Sequence, residues 1–356
     1  MLQIGIVGLP NVGKSTLFNA LTDNNILAAN YPFATIEPNT GVVPIPDERL
    51  QKLAELYSTQ KIIPATVTFL DIAGLVAGAS KGEGLGNQFL AHIRNTNATV
   101  QVVRAFQDDN VQHIEAQLNP KKDIEIINTE LVLADLQTLK KRLPIIEKEA
   151  KASPKLKPAL GTLQTVYKAL NNGQLVNELA IDFEHIKDLQ LITAKPVIYL
   201  FNIDEQTLID EAKKAELAKL VKPSKPLFVC AKLESELRGL DETDQQEMLE
   251  SYGQTESGLV QLIQAAYGVL DLQSFLTAGE KEVRAWTIPK GASAPQAAGV
   301  IHGDFQKGFI AAEVANYQDL IKAGSLAAAK AAGKVRTEGK TYTMQSNDVV
   351  EFKFNV

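Results

Sequence analysis

The sequence predicts an α/β protein: a mostly parallel sheet with flanking helices, interrupted by an α-helical hairpin and followed by a small mixed α+β domain. Three observations carry this. Short apolar, β-branched runs at residues 2–7, 66–70, 99–103, 197–201 and 227–229 are separated by helical segments, the pattern of strands buried on both faces. Between residues 123 and 191 two heptad stripes follow one another. From about Thr277 short apolar runs alternate with Gly-bearing turns.

In chain order, the first run passes through Gly8-Leu9-Pro10-Asn11-Val12-Gly13-Lys14-Ser15 into a stretch of helical spacing at residues 16–22. This strand, glycine loop and helix is the context that the G-x-x-x-x-G-K-[ST] pattern demands. Glycines let the backbone wrap a phosphate chain, and N–H groups from Asn11, Val12, Gly13, Lys14, Ser15 and Thr16 supply positive potential. Lys14 reaches the β- and γ-phosphates, and Ser15 ligates Mg²⁺. Asp71-Ile72-Ala73-Gly74 follows the strand ending at Leu70: its Asp supports the metal through water, and the Gly74 N–H meets the γ-phosphate. Between the two motifs, Thr35 is the candidate that closes over Mg²⁺. Gly74, Gly78, Gly82, Gly84 and Gly86 make the segment after Asp71 Gly-rich. Leu75 stands where a water-orienting Gln follows the glycine in Ras-like proteins, so another group orients water or turnover is slow.

In the helical segment, Val132, Leu136, Leu139, Leu143 and Ile146 are spaced 4-3-4-3, and Leu156, Leu160, Leu163, Tyr167 and Leu170 repeat that spacing. An antiparallel hairpin with its turn near Ser153-Pro154 follows, with a kink or an early end at Pro144. After the strand at 197–201 stands Asn202-Ile203-Asp204-Glu205, where guanine readers carry Asn-Lys-x-Asp. Glu205 is a methylene too long, and Ile203 lacks a Lys stem to cover the base. Cys230-Ala231-Lys232 follows the next strand and matches the loop that closes a base pocket. Weakened guanine selectivity is the expectation; guanine read through Asp204 in a shifted register is the alternative. The last region reads as strands at 283–288, 309–314 and 349–354.

Composition bounds the class. At 356 residues, 45% hydrophobic and 22% charged, the chain is long enough for two or three folded domains, which excludes collagen-like, low-complexity and disordered readings. The most apolar stretch, 62–79, carries Pro64, Asp71, Gly74 and Gly78, so no membrane span is expected. No basic leader precedes the first apolar run, and the single Cys230 excludes an intrachain disulfide, so a cytoplasmic location is expected. A net charge of −6 excludes a chain-wide nucleic-acid clamp.

Together these motifs resemble the Obg-related YchF family, the Obg-like ATPases, over essentially the whole chain. Residues 8–22, 71–76, 82–94, 123–131 and 202–205 carry the likeness. The resemblance implies a Ras-like P-loop NTPase preferring ATP to GTP, with the nucleotide domain at 1–122 and 193–276, the inserted hairpin at 123–192 and a TGS-like β-grasp domain at 277–356. It also implies His113, within Asp109-Asn110-Val111-Gln112-His113, as the group that positions attacking water. Asn11 is similar to the asparagine that related K⁺-stimulated NTPases use to hold a monovalent cation. One departure bears on specificity: Asp204 stands beside the family's glutamate.

Lys140, Lys141, Arg142, Lys148, Lys151, Lys155 and Lys157 stand against only Glu147 and Glu149, a local balance of +5. At a hairpin tip they form a cationic knob suited to a phosphate backbone. A second basic group, Lys330, Lys334, Arg336 and Lys340, lies in the TGS-like region, and the resemblance points both toward ribosomes or structured RNA. The expectation is a Mg²⁺-dependent, slowly hydrolysing ATP switch. Its rivals are a true GTPase, or an RNA-binding adaptor with a structural nucleotide.

Overall fold

The computed structural model describes residues 3–23, 39–72, 74, 85–107 and 118–355. Along the chain, β1 (Gln3–Val7) leads into α1 (Lys14–Asp23), then β2 (Thr40–Pro44), α2 (Glu48–Leu56), β3 (Ile62–Ile63) and β4 (Thr66–Asp71). Next come α3 (Leu85–Asn95), β5 (Ala98–Arg104), the long α4 (Pro120–Ala152) and α5 (Lys157–Asn171). A run of short turns leads to β6 (Val197–Asn202), α6 (Glu205–Leu208), α7 (Glu211–Lys219), β7 (Leu227–Val229), α8 (Ala231–Glu236), α9 (Glu242–Ser251) and α10 (Gly258–Val269). The remainder is β8 (Leu272–Ala278), β9 (Val283–Pro289), α11 (Ala294–Ile301), α12 (Gly303–Lys307), β10 (Phe309–Asn316), α13 (Tyr317–Ala323), α14 (Leu326–Ala331), β11 (Val335–Glu338) and β12 (Asp348–Phe354).

The chain divides into two compact units, Met1–Val42 with Thr68–Leu262, and Val43–Val67 with Ile263–Val356. The first is built on a sheet of order β2-β4-β1-β5-β6-β7, in which β4, β1, β5, β6 and β7 run parallel. All seven residues of β5 are buried, Thr99, Gln101 and Arg104 among them, as expected of a strand covered on both faces. Phe201, Ile203, Cys230 and Leu233 pack into one core beneath the helices that follow β6 and β7. Burying Phe201 completely is worth roughly 1.5–3 kcal/mol in removed apolar surface.

α4 and α5 pair largely through the predicted stripes: Val132, Leu136, Leu139 and Ile146 meet Leu163 and Leu170 in one cluster, with Val166, outside the stripe, buried among them. Asn119 caps α4 by accepting from the Lys122 N–H, with Pro120 at the first helical position. The helix does not end at Pro144. Proline removes the hydrogen bond to the carbonyl four residues back, at Lys140, and that residue is exposed, so water can serve the freed oxygen.

The second unit holds a sheet of order β11-β10-β12-β8-β9-β3. A β8–β9 hairpin, the helix α11 and a parallel β8–β12 pair give the β-grasp arrangement. Ala294, Ala297 and Ala298 of α11 allow close packing on Phe275, Phe309 and Phe352. Residues 43–67 belong to this unit, whereas the expected nucleotide domain at 1–122 and 193–276 includes them. The physical reason is pairing and burial: β3 lies parallel to β9, and Leu50 and Leu53 of α2 join Leu276 and Val283 in a single core.

Candidate functional site

The site begins where β1 ends. β1 is flanked by β4 and β5, so the loop after Val7 opens at the carboxyl ends of parallel strands, where such sheets bind ligands. A Cβ on Gly8 would lie 2.7 Å from the Val102 carbonyl oxygen. Gly13 has φ +96°, and a Cβ there would meet Asn202 Nδ2 at 2.3 Å. Neither position admits a side chain. Asn11 also takes a left-handed backbone, φ 60°, which asparagine tolerates better than other residues with a Cβ.

Lys14 is buried, and its Nζ donates to the Leu9 carbonyl at 2.7 Å. Burial holds its pKa below the usual lysine range, while the Asp71 carboxylate opposes that shift. Ser15 Oγ donates to Asp71 Oδ2 at 3.2 Å. Burial raises the Asp71 pKa despite Ser15 and Lys14, and its Oδ1 is buried with no hydrogen-bond partner among the described residues. A hydroxyl and a carboxylate with an unused oxygen are the hard donors that Mg²⁺ takes, so the residues fit that ion. A Cβ on Gly74 would sit 3.2 Å from Lys14 Nζ, which puts this backbone beside the same lysine.

A cleft of about 780 Å³ runs from this end to the loops that follow β6 and β7. Asn11, Gly13, Lys14, Ser15 and Thr16 line one end, and Asn202, Ile203, Asp204, Glu205, Cys230, Ala231 and Lys232 the other. Val12 contributes through its carbonyl, which accepts from Asn202 Nδ2 at 3.0 Å, while Asn202 Oδ1 accepts from Ala231 N at 3.1 Å. Asn202 thus ties the phosphate loop to the start of α8. Ile203 lines the cleft but is packed into the core.

Both carboxylates in this stretch are engaged. Asp204 caps α6: its Oδ1 accepts from Thr207 N at 2.8 Å and Thr207 Oγ1 at 2.6 Å. Burial would raise the Asp204 pKa, but these bonds and Lys213 hold it below the usual range. Glu205 accepts from Lys232 Nζ at 2.7 Å, which lowers the glutamate and raises the lysine. Cys230 is buried, and burial pushes its thiol up to about 11, so it is neutral near pH 7 and caps α8.

Four lining residues escaped the sequence reading: Phe106, Gln107, Ser235 and Glu236. Phe106 follows β5, and the Arg104 guanidinium stacks over its ring, 4.5 Å from the centroid. Position just past a strand adjoining β1 was the available signal. Thr35 and His113 lie outside the described residues.

Residues 3–135 match the family described as MMR_HSR1, 50S ribosome-binding GTPase, and residues 272–355 match YchF-GTPase_C, described as a protein of unknown function. The Bacillus subtilis protein named ribosome-binding ATPase YchF is 48% identical over the full length of both chains. The chain belongs to the YchF family. The Escherichia coli O157:H7 YchF of the same name is 49% identical over 99% of both chains. The solved structure described as the Schizosaccharomyces pombe YchF GTPase matches with a TM-score of 0.87 at 39% identity, covering 99% of this chain and 97% of that one. Family members thus carry both ATPase and GTPase in their names.

The knob residues are located on the hairpin. Lys140, Lys141, Lys148, Lys151, Lys155 and Lys157 are exposed around the α4–α5 turn, and Arg142 pairs with Glu149 at 3.2 Å. The second basic group differs: Lys330 pairs with Glu313, Lys334 with Asp319 and Arg336 with Glu338, so its charge is largely compensated. Among the described residues no helix is long and apolar enough to cross a membrane.

Proposed function

We propose that this P-loop nucleotide hydrolase is a Mg²⁺-dependent, slowly turning ATPase that works as a nucleotide-gated switch on ribosomes or structured RNA in the cytoplasm. The observation that carries the ATP reading is the engagement of both acidic groups at the base end. Reading guanine through N1–H and N2–H₂ requires a carboxylate with both oxygens available. Asp204 Oδ1 already accepts twice from Thr207, and Glu205 is held by Lys232. Adenine has no 2-amino group and presents an acceptor at N1, so it does not need that carboxylate.

In this reading the N–H groups of residues 11–16 and Gly74 receive the phosphates, and Lys14 exchanges its Leu9 partner for phosphate oxygens. Ser15, Thr35 and Asp71 would hold Mg²⁺, which when bound neutralises charge on the β- and γ-phosphates. His113 positions the attacking water, and Asn11 would supply an oxygen to K⁺. Asn202, Ile203, Glu205, Cys230, Ala231 and Lys232 form the walls of the base pocket. Leu75, which cannot orient water, accounts for slow turnover.

The ribosome reading rests on relatives named for ribosome binding and on the uncompensated lysines of the hairpin turn. Exposed cations there suit a phosphate backbone, with binding that weakens as salt rises. The TGS-like domain is a further candidate contact. The test of hydrolysis is multiple-turnover phosphate release with ATP and Mg²⁺. Lys14→Ala is expected to abolish it, because the charge facing the transferred phosphoryl group is lost; turnover at the wild-type rate would refute the assignment.

A further inference from the structure

α3 follows Asp71 and Gly74 in the chain and is bound at its far end to the root of the hairpin. Lys195 Nζ donates to the carbonyls of Ile93 at 2.9 Å and Arg94 at 2.6 Å, and to that of Thr96. A cation is thereby fixed on the orphan carbonyls at the C-terminus of α3, where the helix dipole favours it. From the same turn of α3, Arg94 Nη2 donates to Thr138 Oγ1 of α4 at 3.0 Å.

One helical turn earlier on α4, Asp135 is fully buried. It accepts from Ile192 N at 2.9 Å, Thr193 N at 2.8 Å and Thr193 Oγ1 at 2.7 Å, holding the segment that carries Lys195. Burial lowers the Lys195 pKa to about 8, while Asp135 raises it and Arg94 lowers it further. Three separately encoded pieces, α3, α4 and residues 192–195, meet in this one polar cluster. Such a cluster is costly to bury where a member is left unpaired, and Arg94 Nε is buried with no hydrogen-bond partner among the described residues. Packing these surfaces with apolar side chains would hold them together without any of these charges. The charged groups make the attachment directional and dependent on α3 staying in register with α4.

We propose that Lys195, Arg94 and Asp135 act as a strut transmitting displacement of α3 into the hairpin, so that the occupant of the phosphate end is sensed at the basic knob. The inference rests on the reading of the cleft as a nucleotide site. A ligand shifts such an equilibrium only through contacts that differ between its states. At the phosphate end the Gly74 backbone lies beside Lys14, and α3 begins at Leu85 in the same stretch of chain. Neither Lys195 nor Arg94 is among the described residues that line the cleft, so they are positioning residues.

The experiment is amide hydrogen exchange on the full chain, with and without a non-hydrolysable ATP analogue and Mg²⁺. In the wild type the analogue is expected to change exchange both in α3 and in α4–α5. In Lys195→Met, affinity for the analogue should stay within about twofold and α3 should still respond, while the α4–α5 response disappears. Thr138→Val, which keeps the side-chain volume, should weaken the α4–α5 response and provides a second reading if Lys195→Met folds poorly. A hairpin that does not respond in the wild type, or that responds equally in both variants, overturns the strut. Failure of the analogue to bind at all would instead overturn the cleft assignment on which the strut depends.

Discussion

Asn202 uses both ends of its amide inside the protein, one on Val12 O and the other on Ala231 N. With one N–H and one lone pair committed in this way, Asn202 is expected to act on a bound nucleotide chiefly through the two loops it holds. Removing a buried group that satisfies two partners costs about 1–3 kcal/mol for each group left unpaired. Asn202→Ala is accordingly expected to weaken ATP and GTP binding by the same factor, of the order of ten or more. Titration calorimetry with both nucleotides checks this. A loss confined to one nucleotide would mean that Asn202 reads the base. The spacing of Gly8, Gly13, Lys14 and Ser15 was legible in the sequence, because backbone wrapping of phosphate admits few alternatives. The engagement of Asp204 was not, since capping by an aspartate depends on where the next helix starts.

At the scale of elements, α8 and α10 are joined by a buried carboxylate. Glu234 Oε1 accepts from the Gly258 N–H at 2.6 Å. Burial, against hydrogen bonds from the N-terminus of α10, raises its pKa from the usual 4.5 to about 7. A carboxyl whose pKa is raised by folding binds its proton more tightly in the native state. Its contribution is therefore fully present below pH 4.5 and is lost as pH rises through 7, by at most about 3 kcal/mol. Glu234→Gln should flatten this part of the stability profile between pH 4.5 and 7, as measured by urea unfolding. Parallel profiles in wild type and variant would exclude the effect. The hairpin stripes were legible because heptad spacing survives any context. The continuation of α4 through Pro144 was not, because it depends on the exposure of Lys140, a property of the folded hairpin.

At the scale of the molecule, the two units are not two consecutive stretches of sequence. Between β2 and β4 of the first sheet, α2 and β3 join the second unit's core and sheet. No local pattern announces that β3 will pair with β9, more than 200 residues away, because pairing partners are chosen by the assembled sheet. The central claim concerns the whole nucleotide cleft: with Asp204 and Glu205 both engaged, it favours adenine over guanine. The most direct test is the Mg²⁺-dependent affinity for ATP and GTP, measured side by side on the full chain. Tighter ATP binding is the predicted result. Tighter GTP binding would mean that Asp204 or Glu205 leaves its partner to read the base, contradicting the account of the pocket given by Thr207 and Lys232.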